Sequence, residues 1–323
     1  MNQRNNSNIH TRGQHGQCKD KTNKQEMHRS NRSQEMYRPN QRSEKHRQGK
    51  RNRKRRRRFS MLPAVFLFVL ILAAATIFKT PQNTGNLSKF KSIYNGSSGS
   101  EAAASKAVAA FAEDNGLELS DYPESIVALL ERNPETLDFV LSYPLEYGKK
   151  HKISLSEYKN SESVPLFMQW DKRWGYIDYG NDVAALTGCG PICLSMAGYY
   201  LTGDEKTFRP DNVIRFALEN GYCASGSGSY WTLISEGGKR LGLDVTEIPL
   251  NQERIIKNLK VGNPIICIMG PGAFTSSGHF IILAGTEDGK FRINDPNSHE
   301  NSERLWDYEE FANQIRNLWV IRK

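Results

Sequence analysis

The most apolar stretch of the chain runs over residues 61–78 without a charged residue. At a rise of 1.5 Å per residue, a helix of that length just crosses a hydrocarbon core of roughly 30 Å. The pattern therefore predicts one transmembrane helix over 59–79. Further along, the apolar positions take helical spacing. Val108, Phe111 and Ala112 recur before a stop at Gly116, Ile126, Val127, Leu129 and Leu130 come after Pro123, and Leu137, Val140 and Leu141 come after Asn133-Pro134. This helical region, 105–150, carries too little apolar surface for a core of its own. It is expected to pack on the downstream domain or to present a face to a partner, with Lys149 to Lys152 as a solvated connection.

Beyond 163 the pattern supports one further domain, 163–323. Residues 164–170 read as an opening strand, 191–201 as a helix ending at Thr202-Gly203, and 210–220 and 231–241 as two more helices. Residues 244–248, 264–269, 278–284 and 290–294 are apolar or β-branched runs bounded by Gly, Pro and Asp, which predicts strands. Trp319-Val320-Ile321 is expected to close the sheet. Helices first and an antiparallel sheet second make an α+β fold.

Charge divides the chain differently. Residues 1–58 hold 19 Lys/Arg against 4 Asp/Glu (+15), which leaves 25 against 31 (−6) for the remainder. A segment so rich in Asn, Gln, Ser, Arg and Lys buries too little apolar surface to offset its conformational entropy, so a disordered basic tail is expected over 1–58. It ends in an arginine cluster at 51–58, which the positive-inside rule places in the cytoplasm, with everything after Lys79 outside. Leu72-Ala73-Ala74-Ala75 offers a signal-peptidase site, but the region before the apolar run is far longer than signal peptides carry. The tail has almost no aromatic residues to stack bases, so anionic lipid, rather than nucleic acid, is its expected partner. Gly, Ser and Asn enrichment over 80–104 predicts a flexible linker.

The candidate chemistry centres on Cys189. Gly188 and Gly190 flank it and Pro191 suits a first helical turn, so the thiol sits at a helix N-terminus, where free N–H groups and the helix dipole favour a thiolate. The glycines are expected to leave room for a substrate backbone. A buried, inert cysteine is the plain alternative. Residues 163–323 contain only two histidines, His279 and His299. His279 opens a predicted strand after Ser276-Ser277-Gly278. Glu287-Asp288-Gly289-Lys290 supplies a hairpin turn, and the returning strand ends at Asp295. Antiparallel pairing then brings Asp295 to His279 within a few residues of register.

Thiol, imidazole and carboxylate make a nucleophile, a general base and an orienting group, in the chain order of papain-like enzymes. Trp170, Trp174, Tyr176 and Tyr179 are expected to crowd the approach to Cys189. Cys193 and Cys267 read as packing residues. Cys223, in a loop, is open to pairing with either in an oxidising exterior. A metal site built from Cys189, Cys193 and His279 lacks the paired, closely spaced ligands of zinc motifs, so neither metal nor cofactor is expected.

Gln169-Trp170-Asp171, Gly188-Cys189-Gly190-Pro191, Gly278-His279-Phe280 and Asn294-Asp295-Pro296-Asn297 together resemble the bacteriocin-leader-processing branch of papain-like enzymes, family thirty-nine of the cysteine peptidases. The resemblance spans roughly 165–319. It is nearer to the stand-alone cell-envelope members of Gram-positive bacteria than to the domains fused to export transporters. It implies Cys189 as nucleophile, His279 as general base and then acid, Asp295 as orienter, and Gln169 as the side-chain donor of an oxyanion hole completed by the Cys189 N–H. Papain-like enzymes usually place that glutamine only a few residues before the cysteine, whereas here 170–188 intervene.

These readings converge on a membrane-anchored, extracytoplasmic cysteine peptidase acting on secreted peptides or cell-wall cross-links. Two other readings fit the same residues: a peptide- or wall-binding module without catalysis, and an acyl transferase of transglutaminase type. The oligomeric state is left open.

Overall fold

The computed structural model describes residues 87–224, 226 and 228–323. The predicted basic tail and transmembrane helix lie outside the described residues. Among the described residues, no helix is long and apolar enough to cross a membrane.

Helices begin well before 105. Leu87–Asn95 (α1) and Ser100–Asn115 (α2) occupy most of the described part of the expected linker, and Glu124–Arg132 (α3) and Leu137–Glu146 (α4) come next. The flexible-linker reading of 80–104 is therefore corrected from Leu87 onward. Composition hid the reason: Phe90 and Tyr94, four positions apart, share one face of α1 and are both buried. Phe90 meets Phe111 of α2 edge to face at 5.2 Å, and the Tyr94 hydroxyl donates to the Leu130 carbonyl of α3. Gly116 ends α2 in the left-handed conformation, as an αL cap requires.

The helical region does not close a core alone. Its buried cluster takes in Tyr176, Val183 and Ala185 from the segment leading to Cys189. Phe139 stacks on Tyr176 at 4.2 Å, and the Tyr176 hydroxyl donates to the Phe139 carbonyl. Packing on the downstream domain is thus what these helices do with their apolar faces.

That domain is α+β. Cys189–Thr202 (α5) and Pro210–Glu219 (α6) precede a six-stranded antiparallel sheet of Asp244–Glu247 (β1), Ile265–Met269 (β2), His279–Glu287 (β3), Lys290–Asn294 (β4), Leu305–Trp306 (β5) and Ile315–Arg322 (β6). Gln252–Lys260 (α7) lies between β1 and β2 in sequence, and His299–Glu303 (α8) between β4 and β5. The strand order is β1-β6-β2-β3-β4-β5. The last strand thus runs through the sheet interior, between β1 and β2, instead of closing its edge.

Both faces of the sheet are covered. Ile266, Ile268, Phe280, Ile282 and Trp319 share a cluster with Ile192, Met196 and Ala197 of α5, while Ile265, Cys267, Ile281 and Val320 share another with Ile255 and Leu259 of α7. This explains why β2 is buried at every position and reads as an unbroken apolar run.

Two further expectations change. Residues 164–170 form no strand. Pro165 has no N–H, and the segment is held by side chains instead: Asn294 Nδ2 donates to the carbonyls of Val164 and Pro165, and the Phe167 N–H points at the Met196 sulfur. Within 231–241 the helix is a π-turn, Leu233–Gly237, continued by Gly238–Arg240.

If α1 is a packed element and not a spacer, Phe90→Ala removes a side chain that is only 2 % exposed. The expected cost is about 3 kcal/mol, confined to the helical region. Limited proteolysis is then expected to cut the variant within 87–99 at enzyme concentrations that leave the parent chain intact.

Candidate active site

Cys189 is the first residue of α5, with Gly188 as N-cap. The flanking glycines serve the chain's own packing rather than an incoming ligand. A Cβ on Gly188 would sit 2.6 Å from the Ala184 carbonyl oxygen, and one on Gly190 would sit 2.6 Å from Ser229 Oγ. Ser229 in turn hydrogen-bonds the buried Tyr179 hydroxyl at 2.6 Å. The expectation of glycine-made room for a substrate backbone is therefore corrected: both spaces are already filled.

His279 is the first residue of β3 and pairs with Met269 of β2. The β3–β4 turn places Asp288 and Gly289 at φ 50° and 82°, the two positive values of a type I′ hairpin. That turn sets the register as far as Gly285 opposite Arg292, and a bulge between Leu283 and Gly285 then shifts it by one residue, so that Ile282 faces Asn294. Asp295, one residue further, lies diagonal to His279, close enough for side chains to meet. His279 Nε2 is 2.7 Å from Asp295 Oδ1, which leaves Nδ1 for the thiol.

Asp295 is only 1 % exposed, and a carboxylate so buried is costly unless its oxygens are occupied. They are. Oδ1 also accepts from the Asn297 N–H at 2.9 Å, and Oδ2 accepts from Asn301 Nδ2 at 2.8 Å. The Asp295 N–H donates to Ser302 Oγ. Sequence reasoning did not find Asn301 and Ser302. Their only signal is a short-helix start at Ser298, whose side chain accepts from the Asn301 N–H.

The electrostatics separate the cysteines. Burial works to raise the pKa of the half-buried Cys189 thiol, but a hydrogen bond from His279, the imidazolium charge, and the N–H groups of Phe280 and Gly190 outweigh it and hold that pKa below the ordinary value. Cys193 goes the other way, pushed well up by burial and then by Cys189 and Asp295, and burial also raises Cys223 and Cys267. Burial works against the His279 cation too, yet the charge of Asp295 and its hydrogen bond, reinforced by Cys189, push the pKa of His279 up to about 10. The two shifts run in the same sense: each favours a thiolate beside an imidazolium. Since His279 is raised above its ordinary 6.5, its contribution to stability is complete below that value and is lost as pH climbs through about 10.

Gln169 does not touch this pair through any hydrogen bond. It is 4 % exposed, its Nε2 donates to the Ala185 carbonyl at 2.7 Å, and its Oε1 has no hydrogen-bond partner. Its backbone N–H donates to the Pro296 carbonyl at 2.7 Å. Gln169 thereby bridges the turn that carries Asp295 and the short helix Ala184–Thr187 that leads into Cys189.

A cleft of about 800 Å³ opens at Cys189 and His279, with Tyr230, Trp231, Met269 and Arg316 among its walls. Trp174, Tyr176 and Tyr179 are buried and do not line it, which corrects the expected aromatic approach. Trp170 is turned to the Asn297 carbonyl. The exposed aromatics that line the cleft are Tyr230 and Trp231 instead. Cys189, Cys193, Cys223 and Cys267 are all free, and among the described residues no group of three His, Cys, Asp or Glu side chains is placed to hold a metal ion.

The Peptidase_C39 like family model matches residues 161–323. No curated protein matches the chain. Among solved structures, a crystal structure described as a C39-like peptidase from Bacillus anthracis is 16% identical and covers 50% of this chain and 94% of that one, with a TM-score of 0.33. The peptidase domain of Streptococcus ComA, a bi-functional ABC transporter involved in a quorum sensing pathway, is 18% identical and covers 49% of this chain and 98% of that one, with a TM-score of 0.34.

The opposed shifts of the cysteines are open to direct measurement by alkylation with iodoacetamide as a function of pH, read by peptide mass spectrometry. Cys189 is expected to reach half its maximal rate below the ordinary cysteine value of about 8.5, and Cys223 above it. His279→Ala should move the Cys189 midpoint upward; an unmoved midpoint would contradict the pairing.

Proposed function

The chain belongs to the Peptidase_C39 like family, which supports a peptidase-type function, and on that footing we propose a cysteine peptidase with Cys189 as nucleophile, His279 as general base and acid, and Asp295 as the group that orients and charges the imidazole. The observation that carries this reading is the contrast among the thiols: of the four described cysteines, only the one at a helix N-terminus beside a carboxylate-bound histidine is lowered in pKa.

The steps derive from the ion pair. The thiolate adds to the carbonyl carbon of the scissile peptide bond, and the oxygen that becomes negative is met by the Cys189 N–H at the start of α5 and by the Gln169 amide. Ala185 already engages one N–H of that amide, which fixes which way the donor end faces. The imidazolium then passes its proton to the leaving amine, which departs and leaves a thioester on Cys189. Water, deprotonated by the now neutral His279, adds to the thioester, and the acid leaves with the thiolate restored. Asp295 keeps its negative charge throughout and stabilises the imidazolium that returns.

We place the enzyme at the cell membrane, with a single span over 59–79, the basic tail cytoplasmic against anionic lipid, and the peptidase domain outside. The charge asymmetry of the tail and the uncharged apolar run support that topology. Secreted peptides or cell-wall cross-links are then the substrates within reach.

Full-length chain in detergent micelles, incubated with a peptide mixture and quenched in acid, should yield new termini together with a thioester adduct on Cys189. Cys189→Ala and His279→Ala should each lower the rate by at least about 10⁴-fold. Products conjugated to an added amine instead of free acids would point to acyl transfer, and intact peptides with no adduct would sink the catalytic reading.

A further inference from the structure

The family match begins at residue 161, yet the hydrogen bonds that hold the Asp295 turn reach back beyond it. Between α3 and α4, Asn133 Nδ2 donates to the Asn297 carbonyl at 2.6 Å. Two residues on, the Glu135 carboxylate accepts from the backbone N–H groups of His299 at 2.7 Å and Glu300 at 3.3 Å and from the Ser298 hydroxyl at 3.1 Å. These are the opening donors of α8, the short helix that carries Asn301 and Ser302 to Asp295.

The two residues also depend on each other. Asn133 is buried, and its Oδ1 accepts from the Glu135 N–H at 3.0 Å, so one side chain caps its own helix and clasps the catalytic turn with opposite ends of its amide. Because Asn297 donates its N–H to Asp295 while its carbonyl accepts from Asn133, the clasp is one residue from the carboxylate that faces His279.

We propose that Asn133 and Glu135 are positioning residues for the peptidase site: the helical region before the matched domain is an intramolecular clasp that fixes the Asp295 turn and α8, and through them the His279 ring. This role rests on the catalytic reading of Cys189, His279 and Asp295. It gives the helical region a task beyond apolar packing, because the side chains of Leu130 and Leu141 make no hydrogen bond to the turn, whereas those of Asn133 and Glu135 bind the turn itself. An anionic Glu135 also suits the N–H groups that begin a helix.

The titratable groups around the site are Cys189 and Cys193 on α5, His279 on β3 and Asp295 after β4, with Glu135, His299 and Glu300 at the clasp. Loosening the turn weakens the hold of Asp295 on the imidazolium, so the thiolate loses its partner at lower pH than before and the thiol becomes less acidic.

Asn133→Asp tests this with little change of shape. The new carboxylate keeps an oxygen to accept from the Glu135 N–H, but it has no donor for the Asn297 carbonyl. Glu135→Gln keeps one acceptor oxygen of two. Full-length chain carrying each substitution is alkylated with iodoacetamide across pH below its own unfolding temperature. Leu130→Ala serves as the comparison, since it destabilises the same helices without touching the clasp. The alkylation rate of Cys189 at pH 6 should fall roughly three- to tenfold for Asn133→Asp, less for Glu135→Gln, as the midpoint rises by about half to one pH unit. Leu130→Ala should leave the midpoint alone.

A lowered wild-type midpoint that both clasp variants retain overturns the clasp and leaves the catalytic reading standing, and so does a midpoint that moves equally in Leu130→Ala. A wild-type midpoint at the ordinary cysteine value overturns both.

Discussion

A buried carboxylate must have its oxygens occupied or the fold bears the cost of a desolvated charge. Asp295 meets that condition with donors from its own turn, from α8 and from His279. The consequence runs in both directions. The neighbours hold the carboxylate in place, and its negative charge holds a proton on the imidazole well above neutral pH, which in turn stabilises a negative sulfur at the start of α5. The acidity of the Cys189 thiol thus depends, through His279, on Asp295.

The scaffold serves that constraint from several sides. The type I′ turn and the bulge between Leu283 and Gly285 together fix the β3–β4 register, the sheet carrying His279 is covered on both faces, and residues 164–170 are tied to the end of β4 by the Asn294 amide. Gln169 and Trp170 bind the turn through the Pro296 and Asn297 carbonyls, Asn133 shares the Asn297 carbonyl, and Glu135 accepts from the N–H groups that follow. A turn held by partners from so many separate parts of the chain is what a rigid orienting group needs.

Much of this was readable from residue order. Cys189 between glycines and before a proline gives a helix start whatever the context, and Asp288-Gly289 admits few turns, so the approach of Asp295 to His279 came from local rules. What local rules missed has physical causes. Around 87–99 the Gly, Ser and Asn content masked Phe90 and Tyr94, two anchors whose value exists only once Phe111 and Leu130 are beside them. Residues 164–170 have the apolar content of a strand but no strand to pair with. α7 went unread because its charged residues outnumber the two buried anchors, Ile255 and Leu259. The interior place of β6 is a matter of topology, which no local pattern encodes. The glycines beside Cys189 were recognised as necessary and assigned to the wrong neighbour, since the atoms that fill their space come from Ala184 and from Ser229, forty residues downstream of the cysteine.

On this reading His279 is a cation at neutral pH because Asp295 keeps it so. Nitrogen-15 NMR of the imidazole, with histidine labelled in the full-length chain, tests this most directly. Both ring nitrogens of His279 are expected to stay protonated from pH 5 through pH 8 and to begin to titrate only toward about 10. A ring that loses a proton near its ordinary 6.5, with Asp295 intact, would contradict it.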